Sequence, residues 1–437
     1  CKYNETEEIM KNRILIIIGK IIQAISRLKG GGSALPGLVM EKINPNFISN
    51  MLKGLKYGVV VISGTNGKTT TTKMVVELLE SQGLNVFSNK TGSNFVRGVG
   101  AAILSEANWS GKLEADIAVL ELDEAHATHF VKLIQPRYSL LLNVMRDQLD
   151  RFGEIDYTAK LLHKIGENTS GSVVLNANDN FLGKKEFSKD FSKVGKFGFN
   201  QKLADFFPND DEIHLKNSKK SSRKVSANVL LEDFSNNIAK ISWGGKTDEF
   251  KLKIGGIHNI LNLTAAIALV EEILNAEKLK INRQKVICTA EKIHPAFGRG
   301  EKIKMNGKEV EIILVKNPAG FRINLRNFEP DKYDTMIAVN DNYADGRDMS
   351  WLWDVDFSVL KYAGVQAISG NRAYDMALRL FHDDIDFEED SVNLDIAESV
   401  IDFIEKGKKD KRIYATYTAM LEIRKELSKI SEVEKIL

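Results

Sequence analysis

The sequence predicts an α/β protein with more than one domain, and three observations support this. The chain has 437 residues, more than one ordinary hydrophobic core accommodates, so two or three domains are expected. From Tyr57 onwards, apolar runs of strand length alternate with helix-like segments, which is typical of a mostly parallel sheet with covered faces. A second strand–helix alternation starts near Gly300. We therefore predict an N-terminal helical segment (1–45), a central domain (46–299) and a C-terminal domain (300–437).

The composition is that of a globular protein in a reducing compartment. Hydrophobic residues make up 43% and charged residues 27% of the chain, with a net charge of +2. A charge so close to balance does not favour nucleic-acid binding. The two cysteines, Cys1 and Cys288, exclude a disulfide scaffold and a multi-cysteine zinc ribbon. We expect a cytoplasmic protein.

The N-terminal segment contains an apolar run, ILIIIGKIIQAI, from Ile14 to Ile25. It is shorter than the about 20 residues of a membrane span and carries Lys20 in its middle. Helical spacing of the isoleucines favours a packed amphipathic helix, with contact to a membrane surface as the alternative. Cys1 is explained by a trimmed chain or by a lipidated cysteine. The segment from Gly30 to Gly37 then predicts a loop.

The elements of the two domains follow from periodicity and turn residues. Strands of the central domain are predicted at YGVVVIS, LNVFSN, ADIAVLEL, YSLLLNV and SVVLNAN. Its helices are predicted at KTTTTKMVVELLESQG, EAHATHFVKLI, DYTAKLLHKIGENT and Asn262–Leu279. A polar, basic stretch at about 200–253 predicts an insertion, and a plain surface excursion is favoured over a small antiparallel unit. Strands of the C-terminal domain are predicted at EVEIILVK, YDTMIAVN, VQAISG and KRIYATY.

The stretch VVVISGTNGKTTTT, beginning at Val59, predicts a phosphate-binding loop. A strand, a glycine-containing turn and a helix opening on Lys-Thr aim backbone N–H groups at an anion. Lys68 can then reach the β- and γ-phosphates, and Thr69 can place its hydroxyl on Mg²⁺. Ile62 stands where the common G-x-x-x-x-G-K-[ST] pattern has glycine, so this loop is a shorter variant. The residues predicted to contact the nucleotide phosphates are Gly64, Thr65, Asn66, Gly67, Lys68, Thr69 and Thr70.

Acidic residues end a neighbouring predicted strand in AVLELDEAH. A carboxylate at the C-terminal end of a strand beside a phosphate loop is suited to a second Mg²⁺ contact. We assign this role to Glu121, with a solvated strand end as the alternative. Further polar residues follow predicted strands or open a helix: Asn143, Asp147, Gln148, Asp150, Arg151, His258, Asn259 and Asn262.

Together these blocks resemble the ATP-dependent Mur ligase superfamily over roughly residues 55–320. The matching blocks are GTNGKTT, E-x-x-E, N-x-x-x-D-Q-L-D-x-F-G, N-A-N-D and G-x-H-N-x-x-N-x-x-A-A. The resemblance implies a central P-loop ATPase domain, a C-terminal Rossmann-like domain and phosphorylation of a carboxylate by ATP before an amine attacks. It also implies nucleotide contacts from Asn262, Arg299 and Asn317. The alternative for each residue is a structural role as a helix cap, a surface charge or a turn residue.

Within the superfamily the chain is similar to the MurT subfamily. Gln148 stands where amino-acid-adding Mur ligases usually have histidine, and the run from Asn340 to Phe357 also matches. The resemblance implies a heterodimer with a GatD-type glutamine amidotransferase, which supplies ammonia to amidate the α-carboxylate of D-isoglutamate in lipid II. It further implies that Asp345 completes the partner's Cys–His pair, where an Asx-rich turn is the alternative.

One departure from that subfamily concerns zinc. Many of its members carry a four-cysteine zinc ribbon, but the corresponding region here has His214 as its only soft ligand, so no zinc site is predicted. We thus expect a cytoplasmic ligase of peptidoglycan biosynthesis that uses ATP and Mg²⁺, with a peripheral position at the cytoplasmic membrane face as the alternative. Its predicted catalytic residues are Lys68, Glu121 and Asp345. The alternatives are a ligase of the Mur or folylpolyglutamate type that adds an amino acid, and a catalytically silent nucleotide-binding regulator.

Overall fold

The computed structural model describes most of the chain and divides it into two compact units. The described residues are 13–24, 35–89, 96–145, 155–207, 226–235, 238–253, 257–293, 299–305, 307–326 and 332–429. The first unit lies within Cys1–Val144 and Asp156–His294, and the second within Met145–Ile155 and Pro295–Leu437.

The first unit is built on one large sheet. Its strands are β1 Val59–Ser63, β2 Val86–Ser88, β3 Ile117–Glu121, β4 Tyr138–Leu141, β5 Ser172–Asn176, β6 Val194–Phe199, β7 Val229–Ser235, β8 Ile238–Trp243 and β9 Lys246–Lys251. Their order in the sheet is β2-β3-β1-β4-β5-β6-β7-β8-β9. All neighbouring pairs among β1 to β7 are parallel, whereas β8 pairs antiparallel with both β7 and β9. Every residue of β1 and β3 is buried, as expected for parallel strands covered by helices on both faces.

Helices cover this sheet. They are α1 (residues 13–24), α2 Leu35–Ile43, α3 Phe47–Leu52, α4 Lys68–Ser81, α5 Val96–Glu106, α6 Glu124–Leu133, α7 Ile155–Glu167, α8 Ile257–Ala276 and α9 Arg283–Ala290. Among the helices of the described ranges, α8 is long and apolar enough to cross a membrane, but 67% of that window is buried. Because α8 packs against α4 and several strands, it is the central core helix of the first unit.

The second unit has its own sheet. Its strands are β10 Arg299–Met305, β11 Lys308–Leu314, β12 Tyr333–Ala338, β13 Ala367–Ser369, β14 Val392–Asn393 and β15 Asp410–Ala415. They lie in the order β10-β11-β15-β12-β13-β14, and all pairs are parallel except β10 with β11. Its helices are α10 Pro318–Arg326, α11 Ala373–His382, α12 Ile396–Glu405 and α13 Tyr417–Leu427.

The predicted α/β fold is confirmed, and so are the predicted strands that became β1 to β5. One expectation needs correction. The described part of the predicted insertion is not a plain surface excursion, because β7 extends the main sheet in parallel beside β6, and β8 and β9 add an antiparallel edge. The division of the chain at residues 45 and 299 stays a prediction. Within the first unit, Gln23 Nε2 of α1 donates to Ser105 Oγ of α5 at 2.7 Å.

Candidate active site

The loop between β1 and α4 has a shape that only its glycines permit. Gly64 and Gly67 have φ values of +136° and +90°, in the region that disfavours side chains. A Cβ on Gly64 would lie 3.0 Å from the backbone nitrogen of Asn143, and a Cβ on Gly67 would lie 2.5 Å from Oδ1 of Asn262. The loop is therefore enclosed between the end of β4 and the core helix α8, and Asn262 of α8 lies beside Gly67. The predicted contact of Asn262 with the nucleotide stays a prediction.

Asn143 holds the loop from the neighbouring strand. Its Oδ1 accepts from the Asn66 N–H at 2.8 Å, its Nδ2 donates to the Asn66 carbonyl at 2.9 Å, and its carbonyl accepts from the Thr65 N–H at 3.1 Å. The sequence marked Asn143 as a polar residue after a strand without assigning it this role. Its position after β4, which pairs directly with β1, is the signal that would have found it.

The loop leads into the start of α4, where the helical hydrogen bonds begin with the Thr71 N–H donating to the Gly67 carbonyl at 2.9 Å. A helix start presents N–H groups and a partial positive charge to an anion. The hydroxyls of Thr70, Thr71 and Thr72 are buried and have no hydrogen-bond partner. Thr70 lies in the first turn beside the loop, and a bound phosphate would supply the acceptor that its hydroxyl lacks. Nothing in the structure explains the unpaired hydroxyls of Thr71 and Thr72.

Lys68 lies folded over the loop. Its Nζ donates to the carbonyl of Gly64 at 2.6 Å and to that of Thr65 at 3.2 Å. The same ammonium group lies 3.4 Å from Oε1 of Glu124, whose side chain is only 2% exposed. Glu124 therefore supplies a buried counter-charge at the phosphate loop, a role that the sequence did not assign to it.

Thr69 and Glu121, the two predicted magnesium ligands, are neighbours. The Thr69 hydroxyl donates to Oε1 of Glu121 at 2.7 Å, because Ile62 of β1 pairs with Glu121 at the end of β3. The backbone of Glu121 is fixed by Asn89, which donates to its carbonyl at 2.8 Å and accepts from its N–H at 2.9 Å. A hydroxyl and a carboxylate are oxygen ligands that suit Mg²⁺.

These residues fit a magnesium ion that takes its other ligands from phosphate and water. In the described part of the chain no group of three or more His, Cys, Asp or Glu side chains could hold a metal. A site with a single carboxylate and a hydroxyl fits Mg²⁺, which keeps several waters and is bound partly through substrate phosphates. His214, named in the prediction that excludes zinc, lies outside the described residues.

Other residues from the sequence analysis lie in the second unit, outside the described residues, or in packing contacts of the first unit. Asn317 is 2% exposed, and its Oδ1 accepts from the Gly320 N–H at 2.8 Å in the first turn of α10, so it caps that helix. Arg299 begins β10 and pairs with Ile313 through its backbone. Gln148 lies outside the described residues, as do Asp147, Asp150 and Arg151. His258, a further polar residue of the sequence analysis, packs edge-on against Phe207 at 5.3 Å.

Asp345 is buried in a turn of the second unit. Its Oδ1 accepts from the Thr418 N–H at 2.7 Å, and its Oδ2 accepts from the Asn342 N–H at 3.2 Å. Burial raises the pKa of Asp345, and the hydrogen bonds from Thr418 and Asn342 oppose that rise. The Asp345 N–H also donates to the Asn342 carbonyl at 2.8 Å, so these residues form a turn that holds the Asp345 carboxylate at the start of α13. The role of Asp345 toward a partner stays a prediction.

Comparison with known proteins gives concordant matches along the chain. The Mur ligase middle domain family matches residues 62–270, and the MurT ligase C-terminal family matches residues 314–420. The MurT subunit of lipid II isoglutaminyl synthase (glutamine-hydrolyzing) from Streptococcus pneumoniae is 30% identical over an alignment 458 residues long, gaps included. The alignment covers 98% of this chain and 99% of that protein. The same subunit from Staphylococcus aureus is 30% identical over 397 residues, 85% of this chain and 88% of that protein.

Solved structures of peptide ligases share the fold. The MurF ligase of Thermotoga maritima in complex with ADP has a TM-score of 0.64 at 17% identity, covering 89% of this chain and 84% of that chain. A pseudomurein peptide ligase type C from Methanothermus fervidus has a TM-score of 0.64 at 21% identity, covering 90% of this chain and 84% of that chain. At these identities the likeness shows the fold alone.

Proposed function

Because this chain belongs to the MurT family of Mur ligases, we propose that it is the ATP-dependent synthase subunit that amidates lipid II. An oxygen of the D-isoglutamate α-carboxylate attacks the γ-phosphorus of ATP, ADP leaves, and an acyl phosphate forms. Ammonia then attacks the acyl carbon, phosphate leaves, and the product is the D-isoglutamine of the stem peptide. The near-full-length 30% identity to lipid II isoglutaminyl synthase subunits is the observation that carries this proposal.

The phosphate loop supplies the groups that this reaction needs. Lys68 and the N–H groups at the start of α4 would hold the phosphates and stabilise the charge that develops during phosphoryl transfer. Thr69 and Glu121 would hold Mg²⁺, which neutralises phosphate charge when bound. The 2.7 Å bond between these two residues and the unpaired Thr70 hydroxyl support this assignment.

Three residues remain proposals as nucleotide contacts. Asn262 is the best supported, because its Oδ1 faces Gly67 of the loop. Arg299 and Asn317 belong to the second unit, and the resemblance to Mur ligases supports their assignment. Asn317 caps α10, which fixes the orientation of its side chain. Substitution of Asn317 tests its proposed contact with the nucleotide.

The ammonia would come from a GatD-type glutamine amidotransferase that forms a heterodimer with this chain. Four exposed apolar side chains of the second unit form a surface that we call the aromatic face: Trp353, Tyr374, Leu378 and Phe381, between 50% and 71% exposed. Tyr374, Leu378 and Phe381 share one side of α11, and Trp353 lies edge-on to His382 of the same helix at 5.1 Å. Exposed aromatic clusters of this kind are typical of interface anchors.

The start of α11, the helix that carries most of the aromatic face, is bonded to the segment that contains Asp345. Arg372, next to α11, donates to Oδ2 of Asp341 at 2.6 Å, and Asp341 opens the segment that ends at Asp345. We propose that this face docks the amidotransferase and that Asp345 completes its Cys–His pair. A buried, hydrogen-bonded carboxylate is the form in which an acid orients a catalytic histidine. Glutaminase activity of the complex should fall with Asp345→Asn and persist with Asp348→Asn.

The reaction is tested with this chain alone, ATP, Mg²⁺, lipid II and ammonium chloride. We expect ADP, phosphate and amidated lipid II in equal amounts, and product formation at least about 100-fold slower when Lys68 is changed to alanine. Incorporation of an added amino acid in place of ammonia would instead favour the amino-acid-adding ligase. Amidation that is unchanged in Lys68→Ala would overturn the assignment of the loop.

A further inference from the structure

The helix α1 carries an apolar stripe that faces solvent. Ile14, Ile18 and Ile21 follow one another at helical spacing and are 53%, 38% and 54% exposed. Residues at these intervals lie above one another on one side of a helix. The stripe is therefore continuous along α1, in contrast to the single exposed apolar side chains that are normal on protein surfaces.

The opposite side of α1 is already packed on the first unit. Ile16 is fully buried, and Gln23 donates to Ser105 of α5 at 2.7 Å. Burying the stripe by rotating α1 would expose Ile16 and break that hydrogen bond. The packing of the first unit thus holds the isoleucine stripe outward.

Basic and aromatic groups flank the stripe. The Nζ of Lys20 lies 5.1 Å from the centre of the Trp109 ring, and the Trp109 side chain is 64% exposed. Arg13 is exposed as well, and residues 13–24 include no aspartate or glutamate. An apolar stripe with basic residues and tryptophan beside it is the arrangement that binds the interface of an anionic membrane.

We propose that this surface, the isoleucine face, binds the headgroup region of an anionic membrane. It is formed by Ile14, Ile18, Ile21, Lys20 and Trp109. A stable protein partner needs about 800 Å² on each side, which is more than three partly exposed isoleucines and one tryptophan offer. Peripheral membrane binding needs a short apolar face and electrostatic attraction. The benefit of such binding rests on the proposed function, since a lipid-linked substrate would lie in the same membrane.

The test is co-sedimentation of the full chain with vesicles. One set contains phosphatidylglycerol and phosphatidylcholine in equal amounts, and the other contains phosphatidylcholine alone. We expect binding to the anionic vesicles that weakens with added salt. The variant Ile14→Ser/Ile21→Ser should lower it by roughly tenfold or more, because two apolar side chains are lost from the interface. The matched control is Leu394→Ser in the second unit, where Leu394 is 52% exposed, and it should bind like the unchanged chain.

Three results would overturn the proposal. They are absence of binding to anionic vesicles, equal binding by Ile14→Ser/Ile21→Ser, and self-association of the unchanged chain that the double variant abolishes, which would assign the face to a second copy. The variant Lys20→Gln keeps the stripe and should lose part of the salt-sensitive binding. Amidation of a water-soluble stem peptide should be the same in Ile14→Ser/Ile21→Ser as in the unchanged chain. Vesicle binding without any amidation would refute the proposed function and leave the isoleucine face in place.

Discussion

The hydroxyl of Thr69 donates a hydrogen bond of 2.7 Å to Oε1 of Glu121. This bond joins the first turn of α4 to the end of β3, two places that are 52 residues apart in the chain. Because parallel strands end at the same edge of a sheet, the register of Ile62 with Glu121 brings these oxygens together. The pair forms the proposed magnesium site, and its chemistry can be tested one oxygen at a time.

Replacing Glu121 by glutamine should raise the Mg²⁺ concentration needed for ADP formation by roughly 100-fold. Glutamine keeps an oxygen that can accept from Thr69 but loses the negative charge that a divalent ion requires. The control is Thr69→Ser, which keeps the hydroxyl and should stay near the activity of the unchanged chain. A magnesium titration that is identical for Glu121→Gln would remove Glu121 from the metal site.

Replacing Gly67 by alanine should weaken ATP binding for two reasons, the backbone strain of alanine at a positive φ and a steric clash with Asn262. The new Cβ would meet Oδ1 of Asn262 at 2.5 Å, at a φ of +90°. Gly83 is the matched control, because its φ is +91° and nothing lies within 4 Å of its Cβ position.

Both substitutions should cost about 1–2 kcal/mol of unfolding free energy through backbone strain, and Gly67→Ala should cost more because of the clash. Only Gly67→Ala should lower the affinity for ATP, measured by calorimetry. Equal losses of affinity in the two variants would show that the loop does not form the phosphate site.

Replacing Lys68 by alanine should lower kcat by at least about 100-fold, because a positive charge directed at the phosphates is lost. It should also destabilise the first unit by about 3 kcal/mol, since Glu124 is 2% exposed and loses the ammonium group 3.4 Å away. In the double variant Lys68→Ala/Glu124→Gln, urea unfolding should show most of the stability restored while activity stays low. Recovery of both together would mean that Lys68 acts only on the fold.

Replacing Phe381 by serine should weaken binding of the amidotransferase by roughly 30-fold if Phe381 anchors the interface. Its side chain is 71% exposed in this chain, so the substitution should leave the stability of the second unit unchanged. Tyr362, 91% exposed and outside the aromatic face, provides the control Tyr362→Ser. Isothermal titration with the purified partner measures both, and equal affinities would place the docking surface elsewhere.

The parts of the fold that local sequence determines were predictable. β1, the glycine loop and α4 follow from an apolar run, two glycines and Lys-Thr, all contiguous in the chain. The position of Glu121 beside Thr69 was also predictable, because a carboxylate at a strand end lies at a known edge of a parallel sheet. The edge strands β7 to β9 were not, since their residues lie in a polar, basic stretch and their pairing depends on β6.

The missed site residues depend on contacts between distant parts of the chain. Glu124 is the first residue of α6, three residues after the end of β3, and its contact with Lys68 spans 56 residues. The bonds of Asn143 to Asn66 span 77 residues. Neither residue lies in a local sequence pattern that distinguishes it from an ordinary strand-end acid or helix cap.

The most direct test of the proposed function uses isotope labelling to trace the amide nitrogen of glutamine into the product. This chain and its amidotransferase are incubated with ATP, Mg²⁺, lipid II and glutamine that carries heavy nitrogen in its amide group. Mass spectrometry of the stem peptide should show one heavy nitrogen at the α-carboxamide of D-isoglutamine, with one ADP formed for each amide. A stem peptide that carries intact glutamine, or that gains no nitrogen while ATP is consumed, would contradict the account.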